Sequence, residues 1–116
     1  MVRLPHGNLS SLQKNIQEKI MIVLNVTYKC KPELREEFLE MILSEGIDIA
    51  CRGESGNIKY DYFRAVDDCD ELLLVEKWHD ADALAAHGKQ PHFARLGELK
   101  SKFVAETIIE KYELPE

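Results

Sequence analysis

Residues 72–93 read LLLVEKWHDADALAAHGKQPHF and carry the strongest structural signals in the chain. The apolar run from Leu72 to Trp78 predicts a buried strand. Asp80 is a favourable N-cap for a short helix over Ala81–His87, and Gly88 is a favourable residue to end that helix. The stretch therefore predicts a strand that is followed at once by a short, sharply bounded helix.

The pattern continues on both sides of this stretch. Pro91 is typical of a helix start, so it predicts a second helix just after the break. Strands are predicted over Ile20–Lys29, Asn57–Val66 and Ala105–Leu114, and Lys31-Pro32-Glu33 is expected to open a helix between the first two strands. The order β-α-β-β-(αα)-β indicates an α+β, ferredoxin-like fold with a broken second helix.

The first and third predicted strands are apolar on both faces. They contain the runs Ile20–Leu24 and Leu72–Val75. Helices can cover only one face of a four-stranded sheet, so the other face needs a different cover. A second copy of the sheet is the simplest cover, and we therefore expect a homodimer, with the two sheets packed against each other.

The bulk composition limits the classes of partner. The 116 residues fit one domain over residues 20–116, preceded by an N-terminal extension over residues 1–19. A net charge of -6 without a basic stripe disfavours nucleic acid. The longest apolar run, Ile20–Leu24, is too short to cross a bilayer, so no membrane partner is expected. Three cysteines without a CxxC pair indicate reduced thiols and a cytoplasmic protein.

Two histidines flank the break between the short helices. His87 ends the first helix, and His92 lies just inside the second. An imidazole titrates near neutral pH, with an ordinary pKa of about 6.5, so either histidine suits an acid/base role in catalysis. The structural alternatives are a favourable charge at a helix C-terminus for His87 and a capping or exposed position for His92.

Four other residues are candidates for substrate binding. Trp78 and Phe93 either wall an aromatic pocket or belong to the core. Tyr60, on the same strand face as Tyr62, either holds a substrate oxygen or lies in a dimer interface, and we favour the interface. Asn25 interrupts an apolar strand, so its amide faces a polar cavity or bonds to the backbone.

Acidic residues within the strands need partners if they are buried. Asp61 and Glu76 are such residues, and Lys59, Lys77 or Arg64 could supply salt bridges to them.

Metal and cofactor motifs are not found in the sequence. There is no HxxxH or HExxH, and His87 and His92 are five residues apart across a helix break, which is poor spacing for metal ligands. No glycine-rich phosphate loop is present. We therefore expect no bound metal, flavin or other cofactor.

The residues quoted above, together with ESGNIKYDYF over residues 54–63, resemble the antibiotic biosynthesis monooxygenase family. The shared pattern has a Gly before the second strand, E-x-W at the end of the third, D-x-x-A-L-x-x-H in the next helix and a His-Phe pair after it. The resemblance extends over residues 20–113. It implies a dimer whose sheets form a barrel, with a pocket between the helices and the sheet of each subunit.

The resemblance implies one of several activities, because members of the family differ in the reaction they catalyse. Some relatives oxidise quinol or polyphenol substrates with O₂ and no bound cofactor, others isomerise small phosphorylated dicarbonyls, and related dimers degrade haem. Gly97 stands near the position of the axial haem ligand, and Asn25 matches the haem-contacting Asn only loosely, which disfavours haem. We expect a cofactor-independent monooxygenase of a small quinol or phenol. The alternatives are a dicarbonyl isomerase and a non-catalytic dimeric ligand-binding or stress-response module.

Overall fold

Residues 20–115, the part of the chain that the computed structural model describes, form a four-stranded antiparallel sheet with helices packed on one face. The N-terminal extension lies outside these residues. The elements in chain order are β1 (Ile20–Cys30), α1 (Arg35–Ser44), α2 (Ile47–Arg52), β2 (Asn57–Arg64), β3 (Glu71–Trp78), α3 (Ala81–His87), α4 (Pro91–Phe103) and β4 (Val104–Pro115).

The sheet order is β2-β3-β1-β4, and every neighbouring pair is antiparallel. This topology confirms the predicted ferredoxin-like arrangement with a broken second helix. The core lies between the sheet and the helices, because alternate side chains of a strand point to the same face. Its buried residues include Ile22, Leu24, Val26 and Tyr28 of β1, Leu72, Leu74 and Trp78 of β3, and Phe38, Ile42, Leu96, Leu99 and Phe103 of the helices.

The start of α1 differs from the sequence prediction. Lys31-Pro32-Glu33 forms a turn, and the helix begins only at Arg35. Glu33 adopts a left-handed backbone conformation, with φ of 66°, which cannot continue a helix. Its backbone N–H donates to Asp70 Oδ1 at 2.8 Å. A contact with a distant loop therefore decides where this helix starts.

The sheet face away from the helices also carries apolar side chains on β1 and β3, as the sequence predicted. On β1 and β3 this face carries half-buried residues such as Val23 and Leu73, and their neighbours Tyr112 and Phe63 are exposed. The edge strand β4 additionally exposes Ile108 and Leu114. We call this surface the open sheet face. Within residues 20–115, no helix is long and apolar enough to cross a membrane.

Gly56 allows the loop before β2 to pack directly against α3. A Cβ atom at this position would overlap the Cβ of Ala83. The carbonyl of Gly56 also accepts a hydrogen bond from the backbone N–H of His79 at 2.9 Å. Glycine is therefore required here for the loop and the helix to approach each other closely.

We expect Gly56→Ala to lower the free energy of unfolding by about 1–3 kcal/mol, because α3 or the loop must move to relieve the overlap. Gly97→Ala is a matched control, since no heavy atom lies within 4 Å of a Cβ built at Gly97, in the interior of α4. It should raise stability by about 0.5–1 kcal/mol. Urea unfolding of both variants checks the pair. A destabilisation that is equal at the two positions would contradict the packing argument.

Candidate functional site

His87 is an enclosed histidine at the end of α3, only 3% exposed. The position of this helix is fixed at its start, where Asp80 Oδ1 accepts a hydrogen bond from the backbone N–H of Ala83 at 2.8 Å. The imidazole packs on the Trp78 ring, with a centroid distance of 4.6 Å, and meets Phe93 edge-on at 5.1 Å. Capping and aromatic packing therefore hold the imidazole in one orientation.

Carboxylates lie near both ring nitrogens of His87. Nδ1 is 2.7 Å from Glu54 Oε2, and Nε2 is 4.0 Å from Glu76 Oε1. An ionised carboxylate can only accept a hydrogen bond, so Glu54 favours the tautomer in which Nδ1 carries the proton. The lone pair then lies on Nε2, on the side of Glu76. This nitrogen is the atom that can accept a proton from a bound molecule.

Glu76 is a buried carboxyl group on β3, only 5% exposed. Burial raises its pKa, while the hydrogen bond that Trp78 Nε1 donates to Oε1 at 3.0 Å and the neighbouring His87 lower it. The net result is a raised pKa, so the carboxyl group holds its proton more readily than an exposed glutamate. The group can therefore exchange a proton close to His87 Nε2.

A cavity of about 210 Å³ opens next to Glu76 and His87, between the sheet and the two helices α3 and α4. We call it the sheet cavity. For comparison, a cavity of about 150 Å³ accommodates benzene in another protein. The walls of the sheet cavity are mostly apolar, and a few side chains direct polar groups into it. The apolar residues are Leu24, Val26, Leu84, Phe93 and Ile109, and the polar ones are Tyr28, Glu76, His87, Lys100 and Thr107.

A second cavity, of about 330 Å³, lies on the other side of the Glu54–His87 pair. We call it the loop cavity, because its walls include the loop from Gly53 to Gly56. His92 lines this cavity, and its Nε2 is 2.8 Å from the same Glu54 oxygen that contacts His87. Glu54 therefore joins the two histidines, and only His87 borders the sheet cavity.

The predicted site residues fall into distinct positions around these cavities. His87 and Phe93 line the sheet cavity, and His92 lies in the loop cavity. Trp78 is completely buried beneath His87 and supports it from the core. Asn25 lies between Leu24 and Val26 and points to the open sheet face, so it does not reach the sheet cavity of its own subunit.

The preference for a dimer interface at Tyr60 was wrong. Tyr60 is 1% exposed within the subunit, and its ring centroid lies 5.8 Å from that of His87. Tyr62 also packs against the helix-side core, at 5.8 Å from Tyr60. Burial raises the pKa of both tyrosines, so their hydroxyl groups stay protonated. Tyr60 therefore packs against His87 from the core of the subunit and does not face another subunit.

Sequence reasoning missed Glu54, Lys100 and Tyr28, because no local motif connects them to a histidine. It also proposed the wrong partners for Glu76, which contacts Trp78 and His87 instead of a basic residue. The salt bridge proposed for Asp61 does form, with Lys59 Nζ at 3.7 Å. The one available signal for Glu54 was its position two residues before Gly56, in the loop that packs on α3.

The fold and the site together define a ferredoxin-like α+β protein with a buried histidine between two carboxylates, next to a small cavity. Three comparisons agree with this class. The sequence model of the antibiotic biosynthesis monooxygenase family matches residues 21–98. A Bacillus subtilis (strain 168) protein named "Putative monooxygenase YcnE" is 40% identical over 73 residues, which make up 63% of this chain and 75% of that protein.

Solved structures show the same fold. A conserved protein from Bacteroides thetaiotaomicron VPI-5482, described as a "Possible Oxidoreductase", has a TM-score of 0.73 at 32% identity, covering 83% of this chain and 99% of that chain. Protein SO0527 from Shewanella oneidensis has a TM-score of 0.76 at 21% identity, covering 83% of this chain and 92% of that chain. The chain belongs to the antibiotic biosynthesis monooxygenase family, and this membership supports a monooxygenase-type function in general.

Proposed function

We propose that this protein is a cofactor-independent monooxygenase that oxidises a small quinol or phenol with O₂ in the sheet cavity. The observation that carries the proposal is the Glu54–His87 pair beside a cavity of about 210 Å³ with mainly apolar walls. Glu54 occupies Nδ1, which leaves Nε2, the nitrogen nearer Glu76, to accept a proton. A phenol needs such a base, because its anion transfers an electron to O₂ far more readily than the neutral molecule does.

The proposed reaction begins with proton transfer from the phenol to His87 Nε2. Glu54, hydrogen-bonded to Nδ1, stabilises the resulting imidazolium. The phenolate then gives one electron to O₂, and the two radicals combine to form a C–O bond. The His87 imidazolium returns its proton to the resulting peroxide anion. Loss of water from the hydroperoxide so formed leaves a quinone, so that one phenol and one O₂ yield one quinone and one water.

Other residues of the cavity support individual steps of this reaction. Lys100 provides a positive charge that attracts the phenolate, and Glu76 can supply or take up a proton when water is lost. Phe93 and Leu84 present apolar surface to the aromatic ring and keep water away from the anion.

The proposed assembly is a homodimer in the cytoplasm. The open sheet face, with Val23, Leu73 and the exposed Ile108, Tyr112 and Leu114, is the surface that the partner sheet would cover. The proposed cytoplasmic location is supported by the three cysteines, which form no disulfide with one another.

A dicarbonyl isomerase is the second candidate, and Lys100 is the observation that favours it. A cationic side chain in the cavity suits an anionic, phosphorylated substrate. Oxygen uptake across a panel of one-ring quinols, with a metal chelator present, separates the candidates. The proposal expects uptake of one O₂ per quinol, whereas isomerisation of a phosphorylated dicarbonyl without oxygen uptake would replace it.

Glu76→Gln tests whether the buried carboxyl group serves function rather than stability. The amide oxygen can still accept from Trp78 Nε1, and the variant has no charge to bury. Because the folded-state pKa of Glu76 is raised, its contribution to stability is present in acid and is lost as pH rises above about 4. We expect the variant to match or exceed the wild type in stability at neutral pH, with turnover lowered about 10²-fold.

Thermal melts at pH 4 and pH 7.5, beside initial rates, check this prediction. The stability of the variant relative to the wild type should increase between the two pH values. Full activity in Glu76→Gln would exclude a role for this carboxyl group in the reaction.

A further inference from the structure

Four side chains with metal-binding atoms meet between the sheet cavity and the loop cavity. They are Cys51, Glu54, His87 and His92, and one ligand atom from each lies within 4.8 Å of all the others. We propose that these residues bind one divalent transition ion of the zinc class, and that the bound ion silences His87 as an acid/base group. The second half of this proposal rests on the proposed function, whereas the first half does not.

The donor set and its spacing fit such an ion. Two residues separate Cys51 from Glu54, and four separate His87 from His92. This is the C-x₂-C and H-x₃₋₅-H spacing of structural zinc sites, with a carboxylate in place of the second thiolate. The two histidines alone, five residues apart across a helix break, are poorly spaced as metal ligands. The fold brings one ring nitrogen of each histidine, His87 Nδ1 and His92 Nε2, to within 2.8 Å of one carboxylate oxygen, Glu54 Oε2.

The charge of the donor set also favours a divalent cation. Burial raises the pKa of the Cys51 thiol to about 12, so the ion must displace the thiol proton when it binds. A Cys51 thiolate and the Glu54 carboxylate together carry two negative charges, which a divalent ion neutralises in a buried place. Cys51 is completely buried and His87 nearly so. A second group, Asp68, Cys69 and Asp70, lies on one turn and is largely exposed, and it has no histidine. Its cysteine therefore serves as a control rather than as a candidate.

Glu76 lies near the other ring nitrogen of His87, and the loop cavity gives access to the site. Metal-bound histidines usually direct their other ring nitrogen to a carboxylate, and His87 Nε2 lies 4.0 Å from Glu76 Oε1. Trp78 in turn fixes Glu76 by a hydrogen bond of 3.0 Å. The loop cavity gives solvent access to Glu54 and His92, so an ion can enter without unfolding the core.

A bound ion would prevent His87 from acting as an acid/base group, because it fixes the tautomer of the imidazole. The ion takes a lone pair from Cys51 Sγ, Glu54, His87 Nδ1 and His92 Nε2, and the thiol proton leaves to solvent. The neutral imidazole of His87 must then carry its proton on Nε2, toward Glu76. In that tautomer Nε2 has no lone pair, so it cannot accept a proton from a phenol. The ion would thus inhibit the enzyme without entering the sheet cavity.

Cobalt(II) titration of the metal-stripped full-length protein tests the site directly. We expect saturation at one equivalent, with visible bands of a four-coordinate ion and a near-ultraviolet thiolate-to-cobalt band, all removed by one equivalent of zinc. Cys51→Ser should abolish the thiolate band, and His92→Gln should weaken binding at least about tenfold. Cys69→Ser and the exposed His79→Gln should leave the titration unchanged.

The absence of saturable binding, or a thiolate band that survives in Cys51→Ser, would overturn the site. One equivalent of zinc should also stop quinol-dependent oxygen uptake, and a chelator should restore it. Cobalt binding at the site together with zinc-insensitive uptake would overturn the silencing. If no quinol of the panel is consumed, the proposed function fails, while the cobalt spectra decide the site by themselves.

Discussion

Replacing His87 by alanine should lower the turnover of a quinol substrate by about 10²–10⁴-fold, the usual effect of removing a general base. The reason is geometric. Among the residues that line the sheet cavity, His87 is the one whose basic nitrogen a carboxylate orients, through the 2.7 Å contact between Nδ1 and Glu54. Initial rates on the best quinol, divided by the concentration of folded protein, give the comparison.

The rates are divided by the concentration of folded protein because His87 is buried and its replacement also lowers stability. Truncation leaves a cavity beside Trp78 and removes a hydrogen-bonding partner of Glu54, at a cost of about 1–3 kcal/mol in the free energy of unfolding. His87→Gln is the matched control, since it fills more of the space and forms hydrogen bonds but cannot titrate. It should recover stability without recovering turnover. Full activity per folded molecule in His87→Ala would rule out the catalytic assignment.

Leu73→Asp and Leu74→Asp should have different effects, although the two residues are adjacent. Leu74 is completely buried under the helices, so a carboxylate there should cost several kcal/mol and unfold the chain. Leu73 is half-buried on the open sheet face, opposite Thr27 of β1. A charge there should leave the subunit folded and separate the two copies of the proposed dimer.

Sedimentation and circular dichroism together check this pair. The wild type should sediment at twice the 13.3 kDa mass of the chain, and Leu73→Asp should sediment as a folded monomer. A wild type that is a stable monomer at micromolar concentration would contradict the dimer. Equal unfolding of both variants would instead indicate that Leu73 belongs to the subunit core.

Local chemistry explains which parts of the fold could be predicted. The bounds of α3 were correct, because Asp80 caps its start and Gly88 follows its end. The start of α1 was not, although Pro32 is a favourable residue for a first turn. There the backbone of Glu33 bonds to Asp70, 37 residues away, and no local signal reveals such a contact.

The site residues also divide into those that local sequence reveals and those that depend on contacts between distant residues. His87 was a candidate because its position at the end of a capped helix and in a family pattern is visible in the sequence. Glu54 was not, because its bonds to His87 and His92 join residues 33 and 38 positions apart. The alternation along β2 placed Tyr60 and Tyr62 on one face, but it could not say that this face is the helix side.

Ionisation of 4-nitrophenol in the sheet cavity is the most direct test of the central claim, that His87 takes a proton from a bound phenol. The anion of this probe absorbs visible light and the neutral phenol does not. At a pH below the pKa of the free probe, adding wild-type protein should produce the anion band in a saturable manner, and His87→Gln should not. A probe that binds with the spectrum of the neutral phenol, or an anion band unchanged in His87→Gln, would contradict the claim.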